Sequence, residues 1–207
     1  MATRHEAASP PRQNIIEHPT ATGQDNRKLA MWCFLASDCM FFGSLITAYL
    51  VSHDRAAVPP YPNDFFDIPF TSVSAFVLLM SSVAMVLALA GIQRGDLRRF
   101  RIWILSTGLL GLIFLGGQIY EFTEFHHEGL RLSTNLFGSS FYVLTGFHGA
   151  HVTIGVFWLF SLFLASFRQP LVTKEKAVNV EIAGLYWHFV DIVWIVIFAV
   201  VYLIEAG

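Results

Sequence analysis

Five long apolar runs constrain this chain more than any other feature of its sequence. They cover, approximately, residues 29–51, 68–92, 102–122, 136–167 and 183–204. Each run reaches the ~20 residues that a helix needs to cross a bilayer. Only 14% of the 207 residues are charged, whereas an ordinary soluble domain has about 25%. The sequence therefore predicts an all-α fold, a polytopic membrane bundle of five transmembrane helices.

Two parts of unequal size follow from the position of these runs. Residues 1–26 are polar, contain three prolines and have no apolar core of a secretory signal. They are predicted to form a polar cytoplasmic tail, and residues 27–207 a five-helix membrane domain. Eleven of the thirteen Lys and Arg residues fall on the side of the N-terminus, and only Arg55 and Arg131 on the other. Since cytoplasmic loops are enriched in Lys and Arg, the N-terminus is predicted inside and the C-terminus outside.

The fourth span contains the most distinctive stretch, FGSSFYVLTGFHGAHVTIG at Phe137–Gly155. At ~100° per residue, one face of this helix carries small and apolar side chains with His148 at its edge. That face comprises Gly138, Phe141, Thr145, Gly149 and Val152. Small residues four apart let another helix approach closely. The stretch is either an ordinary packed helix or an interface, and His148 and His151 favour polar contacts with protein.

Asp38 lies near the middle of the first span. A carboxylate at that depth costs ~3 kcal/mol on insertion scales, so it should face protein, pair with a donor or be protonated. One hypothesis is a neutral Asp38 that is hydrogen-bonded to a neighbouring helix. The other is a residue near a proton or gas path, or at a contact with another subunit.

Two further polar groups lie within the apolar runs. Gln118 and Glu121 share a face of the third span, either as interfacial, solvated groups or as a polar contact surface. His188 and Asp191 are three residues apart on the fifth span, where they can touch, and Glu181 lies on the same face. These three predict a buried polar seam between helices.

Metal binding is not indicated by the spacing of the candidate ligands. His148, His151 and His188 could converge, but two histidines at i and i+3 are no metal signature. Cys33 and Cys39 lie ~240° apart around a helix, so they are predicted to be small buried hydrophobes. His126 and His127 are predicted to be solvated in a loop. No haem, copper or zinc is therefore expected on this chain.

Four motifs together resemble the subunit III family of haem–copper respiratory oxidases. They are ASDCMFF at Ala36–Phe42, GQIYEF at Gly117–Phe122, TGFHGAHVTIG at Thr145–Gly155 and YWHFVDIVWIVIF at Tyr186–Phe198. The resemblance extends from about Leu29 to the C-terminus. The family commonly has Glu where Asp38 stands, and Asp is also seen in quinol-oxidase relatives.

The resemblance implies an accessory subunit without a redox centre in a proton-pumping oxygen reductase. It implies a cytochrome c oxidase of aerobic electron transport, located in the bacterial cytoplasmic membrane. Haems and copper are expected in the catalytic subunit I, next to subunit II and membrane phospholipids, with no nucleic acid. The accessory subunit would support packing, lipid binding, oxygen entry and sustained proton uptake. The implied lipid-binding or subunit-interface residues are Asp38, Gln118, Glu121, His148, His151, Glu181, His188 and Asp191.

This chain departs from the long family form, which has seven spans and two helices before the ASDCMFF span. We expect those two helices in trans, because His148 and His151 need polar partners on a face that lipid cannot satisfy. Some bacterial relatives carry two extra helices at the C-terminus of subunit I, which makes it the expected source. The alternatives are a quinol oxidase subunit III, the companion of a nitric oxide reductase, and a stand-alone His-ligated haem protein.

Overall fold

A computed structural model describes residues 25–53, 68–127, 129, 132, 136–168 and 172–203. Within those residues the chain is helical, without strands. The predicted tail lies outside the described residues except for its last two positions, as do Arg55 and Arg131. The predicted all-α fold class is confirmed.

Five helices are long and apolar enough to cross a membrane. They are α1 (Asn26–His53), α2 (Ile68–Gln93), α3 (Leu97–His127), α4 (Leu136–Ala165) and α5 (Ala177–Phe198). A π-helical segment, Ala199–Leu203, continues α5. Consecutive helices run in opposite directions, so α1 and α5 begin at the same end of the bundle.

The third helix shows where hydropathy alone misjudges a span. It begins five residues before the predicted start and ends five residues after the predicted end. Its polar ends continue the helix beyond the apolar run, because backbone hydrogen bonding does not stop where hydropathy does. The prediction of a loop for His126 and His127 is therefore wrong, since both lie in the last turn of α3.

A tight turn joins α2 to α3. Gly95 adopts φ +80°, a left-handed conformation that favours glycine, and its N–H donates to the carbonyl of Ile92 at 2.9 Å. The Asp96 carboxylate then accepts from the Arg99 N–H at 3.0 Å, which satisfies one unpaired donor at the start of α3. A Cβ at Gly91 would lie 2.9 Å from the Phe100 nitrogen, so the two helices meet backbone to backbone.

The five helices differ in how much of their surface the bundle covers. Helix α5 is the most covered, with half of its central window buried between α1, α2 and α4. Helix α4 packs on α1, α3 and α5, while α2 packs on α3 and α5. Helix α1 lies at the periphery, and only 11% of its window is buried. One side of α1 therefore remains uncovered along the whole helix.

Polar contacts fasten the end of the bundle where α1 and α5 begin, called here the basic end. Arg27 donates to the Asn179 side chain at 3.0 Å, and Lys28 Nζ lies 2.5 Å from the Glu181 carboxylate. Glu181 is thus an anchor for α1 and not a member of the predicted seam with His188. Near the same end, Arg101 donates to Ser166, which ties α3 to the end of α4.

Candidate functional site

Asp38 and His151 face each other across the contact between α1 and α4. Asp38 Oδ2 lies 3.3 Å from His151 Nε2, close enough for an ion pair, although this oxygen forms no hydrogen bond within the described residues. His151 Nδ1 lies 2.7 Å from the carbonyl oxygen of Phe147, one turn earlier on α4. The Tyr186 hydroxyl of α5 donates to the His151 carbonyl at 2.9 Å. Three helices therefore fix the Asp38–His151 pair.

The contacts of His151 distinguish its two ring nitrogens. A backbone carbonyl only accepts, so Nδ1 must carry a hydrogen. Nε2 is then the ring nitrogen that faces the Asp38 carboxyl group at 3.3 Å.

This geometry changes the expectation for the histidines. Asp38 does contact a neighbouring helix, as one hypothesis stated. His151, however, finds its polar partners within this chain, so the argument that it needs a second protein is wrong.

His148 lies inside the bundle and has no exposed surface. Its ring stacks on Trp194 of α5 with centroids 5.0 Å apart, and Phe114 of α3 meets it edge-on at 6.0 Å. Neither ring nitrogen has a hydrogen-bond partner within the described part of the chain. His148 is therefore a member of an aromatic core and does not face lipid.

The polar side chains of α3 also turn inward. Gln118 Nε2 donates to the Thr145 carbonyl of α4 at 2.8 Å, and Glu121 accepts from the Thr71 hydroxyl of α2. Both side chains are buried, so the interpretation as solvated interfacial groups is wrong. A Cβ at Gly149 would lie 2.7 Å from Gln118 Oε1. The small pair Thr145 and Gly149 thus admits α3 of the same chain.

A second histidine cluster lies between α2 and α5. Ser82 Oγ lies 2.6 Å from His188 Nδ1. The buried Asp191 side chain lies beside the same hydroxyl, and its Oδ1 has no hydrogen-bond partner in the described part of the chain. The predicted direct contact of His188 with Asp191 is therefore replaced by a serine of another helix. Beside this cluster, the Trp187 indole donates to Ser81 at 2.9 Å.

Sequence reasoning did not single out Ser82. Its only signal was an excess of serines on the second span, where Ser72, Ser74 and Ser81 compete for the same role. Which serine meets a histidine depends on the rotation of α2 against α5, and the apolar pattern of α2 does not determine that rotation.

The two cysteines contradict the prediction of buried hydrophobes. Cys33 and Cys39 are both exposed on α1, because the periphery of the bundle leaves most of this helix uncovered. Within the described residues, no three side chains of His, Cys, Asp and Glu form a group that could hold a metal ion. His148, His151 and His188 occupy separate contacts.

A cavity of about 590 Å³ opens near the basic end, beside the start of α1. Arg27 and Asn179 stand among its lining residues, together with apolar side chains of α1, α4 and α5. The apolar members are Ala30, Met31, Phe34, Trp158, Leu162 and Ile182. A cationic group above an apolar groove suits an anionic lipid headgroup with its acyl chain below.

Comparison with known proteins agrees with this architecture. The family model for cytochrome c oxidase subunit III matches residues 12–206. The quinol oxidase subunit 3 of Bacillus subtilis (strain 168) is 38% identical over 192 residues, 93% of each chain. The cytochrome c oxidase subunit 3 of Bacillus sp. (strain PS3) is 38% identical over 178 residues, 86% of each chain. With a family match over nearly its whole length, this chain belongs to the cytochrome c oxidase subunit III family.

Proposed function

We propose that this chain is an accessory, non-redox subunit of a proton-pumping haem–copper oxygen reductase in the bacterial cytoplasmic membrane. The observation that carries this proposal is the use of its polar side chains at membrane depth. Asp38, His151, Gln118 and Glu121 all bind other helices of the bundle. They serve helix packing, and haems and copper belong to the catalytic partner.

The uncovered side of α1 is the surface that we assign to the catalytic subunit. Gly43 has open space where a Cβ would be, and Ser44 and Thr47 donate to carbonyls of their own helix. Such small, internally satisfied positions let a partner helix approach closely. Two extra C-terminal helices of subunit I fit this surface, and subunit II completes the complex. The assignment rests on this face of α1, because His148 and His151 both pack inside the bundle.

Lipid binding is the second supporting role that we assign. The cavity near the basic end presents Arg27 above apolar side chains. With eleven of thirteen basic residues on that side, it faces the cytoplasmic leaflet, whose anionic lipids attract basic groups. A phospholipid there would fill the junction of α1, α4 and α5, next to Lys28 and Glu181.

Oxygen access and sustained proton uptake are assigned to the same assembly. The Asp38–His151 pair places a carboxyl group 3.3 Å from an imidazole nitrogen near the middle of α1 and α4. A pair of this kind can pass a proton between its two groups without a change of net charge in the membrane.

The electron donor is the point on which relatives divide. Relatives named quinol oxidase and cytochrome c oxidase subunit 3 reach the same 38% identity. We propose the cytochrome c type, with the quinol oxidase as the alternative; a nitric oxide reductase companion is a further one.

Purification of the complex in mild detergent tests these assignments. A partner with a dicopper domain is expected and indicates cytochrome c; a complex without that domain indicates quinol. An isolated chain with a Soret band would contradict the accessory role and favour a stand-alone haem protein.

A further inference from the structure

The cluster of Ser82, His188 and Asp191 lies near the middle of two membrane-spanning helices. Ser82 is fourteen residues from the start of α2, and His188 is eleven residues from the start of α5. At ~1.5 Å per residue, both lie well inside the hydrocarbon core. Lipid chains offer no hydrogen-bonding group at that depth, so each polar atom there needs a protein partner.

Two atoms of this cluster have no hydrogen-bond partner within the described residues, the buried Asp191 Oδ1 and His188 Nε2. His188 Nδ1 bonds Ser82, and Asp191 is almost wholly buried beside the same hydroxyl. His188 itself is only half-buried. For its Nε2, the described residues provide no partner.

The proton count of the cluster gives Nε2 a definite role. A net charge is disfavoured in the hydrocarbon core, so the cluster is neutral either as His188⁺ with Asp191⁻ or with both groups uncharged. In the first state both ring nitrogens carry hydrogens. In the second state the protonated Asp191 donates to Ser82 and Ser82 donates to Nδ1, which leaves the ring hydrogen on Nε2. The opposite order, with Nδ1–H donating to Ser82, would place the Asp191 proton on the buried Oδ1, for which the described residues offer no partner. In the favoured states Nε2–H is therefore a donor without an acceptor.

Apolar side chains surround this donor on both helices. Positions three, four or seven residues away share a helix face, and here they carry exposed aliphatic groups. They are Leu79 and Val86 on α2, and Ile192 and Ile195 on α5. The result is an aliphatic rim around one hydrogen-bond donor, which we call the α2–α5 face.

We propose that the α2–α5 face docks a transmembrane helix of another subunit, and that this helix places a hydrogen-bond acceptor side chain opposite His188 Nε2. The occupant is a helix and not lipid, because an acyl chain would cover the rim but leave the donor unpaired in the hydrocarbon core. This inference rests on the proposed function, since it requires a multisubunit complex. The surface is separate from the uncovered side of α1, so the subunit would have two protein neighbours.

Photo-cross-linking in the assembled complex tests the docking surface. Ile192 is 59% exposed and lies one turn from His188; it is replaced by p-benzoylphenylalanine, and adducts are mapped by mass spectrometry. Ile113 of α3 is a matched control, being 60% exposed and near the middle of its helix. We expect the Ile192 probe to label a transmembrane segment of another subunit that has an acceptor side chain within about one turn of the labelled residue. The Ile113 probe should give less than a tenth of that yield.

Two further variants separate the hydrogen bond from simple proximity. His188→Phe keeps an aromatic ring but removes the donor, and should lower the Ile192 adduct at least five-fold. His188→Gln offers an amide N–H and should restore most of it. An intact complex without the Ile192 adduct, or with lipid adducts alone, would overturn the docking surface but not the proposed function. An unchanged Ile192 yield in His188→Phe would overturn the hydrogen bond to His188 and with it the acceptor on the docked helix. A preparation that contains no other oxidase subunit would overturn the proposed function and the docking surface together.

Discussion

The two histidine clusters have similar parts but differ in how complete they are. At the contact of α1 and α4, both nitrogens of His151 face groups of this chain, the Asp38 carboxylate and the Phe147 carbonyl. At the contact of α2 and α5, Ser82 occupies one nitrogen of His188 and the other is left over. The first cluster can form in the isolated chain, whereas the second needs a neighbour. A buried histidine thus indicates packing or docking according to how many of its nitrogens its own chain satisfies.

Removal of Asp38 should give the largest effect, because it breaks the complete cluster. Asp38→Ala leaves His151 Nε2 without its partner, and we expect a loss of about 1.5 kcal/mol in the free energy of unfolding in mixed micelles. Haem spectra of the assembled complex should stay unchanged, while sustained turnover falls.

A double-variant cycle checks that this effect comes from the pair. Asp38→Leu combined with His151→Leu removes both polar groups and should recover more than half of the loss. Ser37→Ala is the neighbouring control, since Ser37 bonds only its own helix. Strictly additive single effects, or lost haem signals in an intact complex, would contradict the account of Asp38.

Gly149→Ala should give the next largest effect overall, with a similar loss of stability, because it disturbs the packing of α4 on α3, and α4 carries His151. Its Cβ would lie 2.7 Å from Gln118 Oε1, and such overpacking costs about 1.5 kcal/mol. Gly146→Ala is a matched control on the same helix, where nothing lies within 4 Å, so its stability should be equal or slightly higher. Equal losses at both positions in thermal unfolding would refute the close contact of α3 with Gly149.

Ser82→Ala should have a smaller effect in the isolated chain than in the complex. It removes one interhelical hydrogen bond, which in membrane proteins contributes about 0.6 kcal/mol on average. Ser106→Ala serves as the control, since that hydroxyl donates only to its own helix. In the complex, a freely rotating His188 should weaken subunit retention during detergent washing. Equal retention of both variants would count against the incomplete cluster as a docking element.

The smallest effect is expected at the cysteines. Cys33→Ser and Cys39→Ser lie on the uncovered side of α1 and should change stability by less than ~0.5 kcal/mol. Their thiols should react with a membrane-permeant maleimide in the isolated chain and be protected in the complex. Equal thiol reactivity in the isolated chain and in the complex would show that α1 does not contact the catalytic subunit.

The sequence was sufficient to predict the transmembrane helices but only part of the candidate site. Apolar runs reveal spans because every spanning segment must satisfy its own backbone hydrogen bonds. The spacing of small residues four apart correctly placed Thr145 and Gly149 at a helix contact. It could not tell that His148 would stack on Trp194 while His151 met Asp38, since one turn of α4 separates the two environments. Cys33 and Cys39 were misjudged because hydropathy does not distinguish a central helix from a peripheral one.

Asp38 and His151 are synthesised at different times, and this affects how α1 enters the membrane. The ribosome makes α1 first, and His151 follows roughly 110 residues later, a delay of roughly 6–20 s at ordinary elongation rates. During that interval Asp38 has no partner, so α1 must enter the bilayer with a protonated carboxyl or wait at the translocon, which tolerates a cost of ~3 kcal/mol. The arrival of α4 then provides a second base for that proton. Capture of α1 by α4 is thus a late step of membrane insertion, and an α1 released before α4 emerges would carry an unpaired acid into lipid.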